Sequence, residues 1–142
     1  MNKNLIALSI LLGVVGSLAA KTYFKPSPVT MGVNSQMALS KLASDMNKTL
    51  PMMIDKDTEL VATVGLPDMF VYNYRLVNHA AQDLDPKKIN ELMKLGIINS
   101  ACTTPETREQ FLQKGLSLRY SYADKDRQHV TSIDVTPQDC KA

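Results

Sequence analysis

The sequence has little excess charge of either sign. Its 16 basic and 14 acidic side chains leave a formal net charge of +2 over 142 residues. Positive and negative residues are interspersed, so the chain has no basic stripe of the kind that follows a phosphate backbone. This balance argues against nucleic acid as a partner. Hydrophobic residues make up 44% of the chain, which is typical of one globular domain.

Side chains that carry chemistry are also scarce. The two histidines, His79 and His129, lie beside polar residues at the ends of expected strands, and we interpret both as solvated. No serine occupies a Gly-x-Ser-x-Gly elbow, no cysteine–histidine cluster could bind zinc, and no glycine-rich loop could hold a phosphate. We therefore predict a non-enzymatic protein with no catalytic residue, no metal site and no cofactor.

The most metal-like stretch is the run of alternate acids Asp55, Asp57 and Glu59. Carboxylates spaced in this way can converge on calcium. A complete calcium loop also needs a glycine and a terminal bidentate carboxylate, and this stretch has neither. Lys56 lies in its middle. We interpret these residues as solvated acids in a loop before a strand.

The N-terminus has the three-part layout of a secretory signal peptide over residues 1–20. Lys3 supplies a positive charge, residues 5–20 carry none, and Ser17 and Ala19 are small residues at the −3 and −1 positions of a cleavage site. The apolar run is shorter than the roughly 17–25 residues that span a bilayer, which favours cleavage over an uncleaved inner-membrane anchor. Both alternatives predict a periplasmic location. No cysteine follows the apolar run, so a lipid anchor is not expected.

Only two cysteines, Cys102 and Cys140, are present. In an oxidising compartment an even pair in a small domain indicates one disulfide bond. The two positions enclose a long loop, and closing such a loop stabilises the domain by roughly 4 kcal/mol in the chain-entropy model. We expect this bond to hold the end of the chain against the domain.

Hydrophobic spacing divides the remainder of the chain into a linker and one domain. Residues 21–34 contain two prolines and show no period, and we interpret them as a linker to a single disulfide-stapled domain over residues 35–142. Three- and four-residue spacings predict helices, and alternation predicts strands. The expected elements are a helix from 35 to about 49, strands at 59–64 and 69–78, helices opening at Asp85 and Thr103, and strands at 116–122 and 130–135.

The order α-β-β-α-α-β-β predicts an α+β fold. We expect a four-stranded antiparallel sheet made from two hairpins, with the helices packed mainly on one face. The third helix is expected to open with a capping box of Thr103 and Glu106. The second helix is expected to bury a stripe formed by Ile89, Leu92, Met93, Gly96, Ile97 and Ala101.

The two hairpins carry a matching Tyr-x-Tyr pattern. Alternation places the side chains of each pair on the same face of its strand. Tyrosine suits a half-buried pleated surface, so these residues can belong to the core. They can also form an aromatic face that contacts a protein partner. The pattern leaves both interpretations open for Tyr72, Tyr74, Tyr120 and Tyr122.

A combined pattern extends over roughly residues 39–140. It consists of Leu50-Pro51, Ile54-Asp55-x-Asp57-Thr58-x-Leu60, Tyr72-x-Tyr74-x-Leu76-Val77-Asn78, Ile98-x-x-x-Cys102, Gly115, Tyr120-x-Tyr122, Ile133-x-Val135 and Cys140. This pattern resembles a broad group of small exported proteins of Gram-negative bacteria. That resemblance implies the fold and the compartment, without an activity. In element order the chain is also similar to periplasmic pilotin-type secretion factors, which carry a lipid on a cysteine that this chain lacks.

These observations favour a non-catalytic binding or adaptor domain outside the cytoplasm, with a protein partner in the cell envelope. The alternative is an enzyme that acts on the envelope, or an inhibitor of such an enzyme. A cleft that brings His129 together with carboxylates would favour the enzyme. The inhibitor differs from the adaptor only in its partner.

Overall fold

The computed structural model describes residues 35–141. The predicted signal peptide (residues 1–20) and linker (residues 21–34) lie outside the described residues. Between residues 35 and 141, no helix has the length and hydropathy that crossing a bilayer requires.

The described chain contains three α-helices and five β-strands. The helices are α1 (Ser35–Asn47), α2 (Pro86–Thr103) and α3 (Pro105–Gln110). Short 3-10 helices lie at Ala81–Asp83, Leu112–Lys114 and Pro137–Cys140. The strands are β1 (Met52–Met53), β2 (Thr58–Gly65), β3 (Met69–Leu76), β4 (Ser117–Ala123) and β5 (His129–Val135).

The strands form one mixed sheet in the order β1-β2-β3-β4-β5. The prediction of a four-stranded antiparallel sheet is therefore wrong on two counts, although the α+β class is retained. First, β1 adds a fifth strand at the edge, where Met52 and Met53 pair with Leu60 and Glu59. A two-residue strand is too short to show any alternation, so the sequence pattern contains no signal for it.

Second, the two hairpins join through a parallel pair. β3 and β4 run in the same direction, with Tyr72 beside Tyr120 and Tyr74 beside Tyr122. The 40 residues from Val77 to Leu116 connect them and contain α2 and α3. Parallel neighbours need a long crossover, usually helical, so the helical connection between the hairpins makes this pairing possible.

The two long helices pack on the same face of the sheet, α1 toward the β2 end and α2 toward the β5 end. Helix α1 lies on β2, where the Thr63 hydroxyl donates to the Ala43 carbonyl (3.3 Å) and Gly65 meets the Leu39 backbone. A side chain at position 65 would overlap that backbone, so glycine permits the close approach. Helix α2 lies on β5, where the Asn90 amide donates to the Thr131 hydroxyl (3.2 Å).

Helix α2 begins as its sequence predicts. The Asp85 side chain accepts the Lys88 backbone N–H (3.2 Å), and Pro86 occupies the first helical position. Proline is favoured there because the first helical N–H has no partner within the helix. The residues of α2 that are buried against the sheet are Ile89, Met93, Ile97 and Ala101.

The predicted capping box of α3 is wrong. Thr103 is the last residue of α2, and its hydroxyl donates back to the Asn99 carbonyl (2.8 Å). The N-cap of α3 is Thr104, without a side-chain cap bond, and Pro105 follows it. Proline at 105 disfavours helical geometry at the residue before it, which separates the two helices at Thr104 rather than one residue earlier.

The C-terminal segment is fixed to α2 by a disulfide bond. Cys102 and Cys140 are joined, and their Cα atoms are 5.4 Å apart. The 3-10 helix that carries Cys140 has a capping box, in which Asp139 accepts both the backbone N–H and the hydroxyl of Thr136 (2.7 and 2.8 Å). The end of the chain is thus held by a covalent bond and a local hydrogen-bond network.

Candidate functional site

The four tyrosines of the Tyr-x-Tyr pattern form a stack across the middle of the sheet. Parallel pairing of β3 with β4 places two rings from each strand side by side. Ring centroids are 5.1 Å apart for Tyr74 and Tyr122 and 5.5 Å apart for Tyr72 and Tyr120, with small interplanar angles. We call these four residues the tyrosine stack. It lies on the strands β3 and β4, between β2, which α1 covers, and β5, which α2 covers.

The tyrosine stack belongs to the interior of the domain. Tyr74, Tyr120 and Tyr122 are buried, and Tyr72 is partly buried against the same core. Burial raises the pKa of all four phenols, so they stay protonated at any physiological pH. Three of the rings are thus placed as core, and a direct contact with a partner could use Tyr72 alone.

The two histidines lie in different environments, and within residues 35–141 neither is joined to both a nucleophile and an orienting carboxylate. His79 is buried, so its interpretation as a solvated residue is wrong. His129 is exposed, and its Nε2 lies 2.9 Å from the Ser132 hydroxyl. Among the described residues no carboxylate lies within salt-bridge distance of His129 to orient its ring. A hydroxyl beside an unoriented imidazole on an exposed strand lacks the third group that activates a nucleophile.

The alternate acids have partners within the protein. Asp55 accepts the backbone N–H groups of Asp57 and Thr58 (2.7 and 2.8 Å), which shapes the turn before β2. Glu59 is paired with Arg75 on the neighbouring strand (2.7 Å). Residues 35–141 contain no cluster of three or more histidine, cysteine or acidic side chains that could bind a metal ion.

An exposed apolar surface lies on α2. Leu92 is 44% exposed and Leu95 is 78% exposed. Leu92 also forms one wall of a small pocket, together with Leu84, Asp85, Lys88 and Ile89. We call Leu92, Leu95 and this pocket the leucine strip.

Charged residues of both signs lie at the leucine strip. Asp85 and Lys88 line its pocket, and Lys87, Glu91 and Lys94 are exposed elsewhere on α2. The helix itself carries three lysines and one acid, although the domain as a whole is close to neutral. An apolar centre with a charged rim is the usual layout of a protein-binding surface.

The prediction of a buried stripe on α2 was wrong for Leu92, which lies at the edge of the helix face that meets the sheet. The residues at 89, 93, 97 and 101 already supply a complete row at four-residue spacing. Leu92 and Leu95 lie outside this buried row, so the apolar surface of α2 is wider than the surface that packs on the sheet. That excess is the signal by which the leucine strip could have been found in the sequence.

Solved structures with the same fold come from a protein described as secreted and from pilotins of type II secretion systems. A protein of Pseudomonas aeruginosa described as secreted has a TM-score of 0.60 at 17% identity, covering 78% of this chain and 99% of that one. The pilotin EpsS of the Vibrio vulnificus type 2 secretion system has a TM-score of 0.60 at 19% identity, covering 75% and 92%. The type II secretion system pilotin AspS of Vibrio cholerae has a TM-score of 0.56 at 16% identity, covering 87% and 99%.

No protein-family model and no curated protein matches the sequence. At these levels of identity the three structures show a common fold. The similarity extends over 92–99% of each solved chain, so the common fold includes nearly all of the structure in those chains.

Proposed function

We propose that this protein is a non-catalytic adaptor in the cell envelope, which binds a protein partner on the leucine strip of α2. The observation that carries the proposal is the exposure of Leu92 and Leu95 beside an apolar pocket, on a helix whose sheet contact is already complete. Fully burying an exposed leucine side chain is worth about 1.5–3 kcal/mol. Leu95 and the exposed part of Leu92 therefore provide an apolar contribution to partner binding.

The charged residues at the pocket would orient the partner. Lys88 and Asp85 both line it. Rim charges act mainly on the rate of association and on the choice of partner, because their energy in water is small. The partner surface that fits this site therefore has apolar side chains at its centre and charges of both signs at its margin.

The fold and the sequence support a location outside the cytoplasm. The structures with this fold come from a secreted protein and from two pilotins of type II secretion systems. The N-terminal layout of a signal peptide and the single disulfide bond agree with an oxidising compartment. Pilotins serve a secretion system, so a protein of the envelope is the class of partner that we propose for this chain.

Site-specific photocrosslinking in the native host tests this function. A photoreactive amino acid at position 95 should give a covalent adduct with one envelope protein, and a probe at position 92 should capture the same protein. Gln128 is an exposed residue on the β4–β5 turn and provides a matched control position. Adducts from 128 but not from 92 or 95 would show that the partner binds elsewhere. No adduct at any of the three positions would contradict the adaptor function.

The alternative of an envelope-acting enzyme has one observation in its favour, the 2.9 Å contact of His129 with Ser132. Neither residue lines the pocket on α2. If Ser132 is a nucleophile, Ser132→Ala abolishes labelling by a fluorophosphonate probe, whereas an adaptor shows no labelling in either form. An inhibitor would be recognised by the identity of its crosslinked partner, which would itself be an enzyme.

A further inference from the structure

The turn between β4 and β5 is bonded to the loop that leads from β3 into α2. The Oδ2 atom of Asp124, in the turn, accepts the backbone N–H of Ala81, which lies 43 positions earlier in the sequence (2.8 Å). Beside this bond, the Lys125 backbone N–H donates to the His79 carbonyl (2.9 Å). Two hydrogen bonds therefore fix the loop to the turn.

The Asp124 side chain is buried among backbone N–H groups. It is 2% exposed, and its Oδ1 atom accepts the N–H groups of Asp126 and Gln128 (both 2.8 Å), which closes the turn. Burial alone would raise the pKa of the Asp124 carboxyl, but hydrogen bonds from Ala81, Gln128 and Asp126 lower it below its ordinary value. At neutral pH the group is therefore a carboxylate, which can only accept hydrogen bonds.

The loop end of this connection leads to the leucine strip. Ala81 is the first residue of a 3-10 helix, and its carbonyl accepts the Leu84 backbone N–H (3.1 Å). Leu84 is 7% exposed and lines the pocket of the leucine strip. Hydrogen bonds on both sides of Ala81 thus connect the Asp124 carboxylate to the wall of the pocket.

The pocket has one wall that α2 fixes and one that it does not. Lys88, Ile89 and Leu92 belong to the helix, and Asp85 is joined to it by accepting the Lys88 N–H (3.2 Å). Leu84 lies before this cap, so its position depends on the loop. A shift of the loop would change the shape of the pocket without any change in the helix.

We propose that Asp124 is a positioning residue for the leucine strip, and that it holds Leu84 in the pocket wall that the partner contacts. This inference rests on the proposed function, because the pocket is used only if a partner binds there. Hydrogen bonds to a charged acceptor are stronger than those between neutral groups, so a buried carboxylate suits this role. The β4–β5 turn would then influence binding although its residues do not line the pocket.

Two substitutions remove the same hydrogen bond from its two ends. Asp124→Asn can keep an oxygen for the two N–H groups of the turn, and its amide group then meets the Ala81 N–H as a second donor. Ala81→Pro removes the N–H itself and leaves the turn intact. Proline fits there, because Ala81 opens the 3-10 helix and Ala80 before it is extended (φ −93°, ψ 146°).

Amide hydrogen exchange, measured by NMR on the intact protein, tests the positioning. In both variants the Leu84 amide should exchange about tenfold faster relative to the amides of α1, because a bond to a charged acceptor is lost. Asp139→Asn is the matched control, since that carboxylate accepts its hydrogen bonds from Thr136, and it should leave Leu84 unchanged. Unchanged exchange at Leu84 in both variants would overturn the proposal. If Asp124→Asn does not fold, Ala81→Pro decides the question.

Photocrosslinking from position 92 tests the consequence for binding. Asp124→Asn and Ala81→Pro should each lower the yield of the envelope adduct about fivefold or more, and Asp139→Asn should not. Faster exchange at Leu84 with an unchanged adduct yield would also overturn the proposal. If the parent chain gives no adduct from 92 or 95, the proposed function fails, whereas the exchange data still decide whether Asp124 holds Leu84 in place.

Discussion

The two halves of the domain are built alike. Residues 35–79 contain α1 and the first three strands, and residues 81–141 contain α2, α3 and the last two strands. In each half a long helix covers the outer part of the sheet, and an asparagine of that helix bonds the backbone of the strand beneath it. Each half also contributes two rings to the seam between them, namely Tyr72 and Tyr74 from the first and Tyr120 and Tyr122 from the second.

The halves differ in what their helices leave exposed. Helix α1 buries Leu39, Leu42 and Ala43 and shows one large apolar residue, Met37. Helix α2 buries its row of four and still presents the leucine strip, and its end carries the disulfide. The comparison teaches that α2 has more apolar surface than its contact with the sheet covers. Under the proposed function, this surface is where the partner binds, and α1 serves the packing of the domain.

The largest expected difference between the halves comes from the disulfide. Replacing Cys102 and Cys140 together by serine should lower the free energy of unfolding by roughly 4 kcal/mol, because the open chain regains the entropy of a long loop. Urea denaturation measures the change. Hydrogen exchange should then show the earliest loss of protection in the second half, at the last turn of α2 and in residues 136–141. Equal loss of protection in α1 would show that the disulfide bond stabilises both halves to the same extent.

Matched leucine truncations on the two helices come next. Leu42 on α1 is 8% exposed, so Leu42→Ala should cost about 3 kcal/mol through lost burial and a cavity. Leu92→Ala on α2 should cost less than about 1 kcal/mol, because much of that side chain already lies in water. The partner-binding role predicts the opposite order for crosslinking to the envelope protein. If both variants lose stability equally, Leu92 is core and the leucine strip is wrong.

Asn47 and Asn90, which bond to the backbone of β2 and β5, should show a smaller difference in their contribution to the free energy of unfolding. The Asn47 side chain donates to the Thr63 carbonyl (2.9 Å) and accepts the Thr63 N–H (2.7 Å), so it replaces a neighbouring strand at the outer edge of β2. Asn90 donates to one backbone group, the Ser132 carbonyl (3.1 Å). We expect about 2 kcal/mol for Asn47→Ala and about 1 kcal/mol for Asn90→Ala in chemical denaturation. A larger effect at Asn90 would reverse the comparison of the two edges.

The smallest expected difference between the halves is in the pKa values of two carboxylates and their dependence on salt. Hydrogen bonds from Lys41 and Lys48 lower the pKa of Asp45 on α1 to about 2, whereas a hydrogen bond from the Thr136 backbone leads the lowering for Asp139 in the second half. Both folded-state pKa values lie below the unfolded ones. Any stabilisation is therefore present above about pH 4 and is lost as the pH falls through the folded pKa.

Carbonyl-detected NMR titrations at low salt and at about 1 M salt separate the two causes. Salt screens the exposed lysines, so the Asp45 pKa should return toward its ordinary value. The Asp139 pKa should stay low, because its backbone hydrogen bond does not depend on distant charge. A similar salt response at both residues would show that charge, rather than the hydrogen bond, sets the pKa of Asp139.

Local features of this fold could be predicted from the sequence. The start of α2 follows from Asp85 and Pro86, whose capping chemistry is complete within one turn. Alternation located the four longer strands because each one has a buried face. With only two cysteines in the chain, only one disulfide pairing within the chain is possible. Each of these inferences uses either interactions within a few residues or the number of cysteines.

The features that could not be predicted depend on which distant elements meet. Nothing in the sequence of β3 or β4 distinguishes a parallel neighbour from an antiparallel one, so the parallel pairing of β3 with β4 was not predicted. Burial of the tyrosine stack follows from that seam, since rings from the two halves cover one another. The exposure of Leu92 likewise depends on how α2 is rotated on the sheet. The leucine strip was therefore harder to predict from the sequence than the helix that carries it.

β3 pairs with β2 on one edge and with β4 on the other, and β4 is synthesised only after the long helical crossover. Until then the second edge of β3 is unpaired, and Tyr72 and Tyr74 lack the rings of Tyr120 and Tyr122. A nascent chain with such a surface is prone to pair with other copies. The protein therefore benefits from postponing collapse until its last hairpin has been made, and it should then fold as a single cooperative unit.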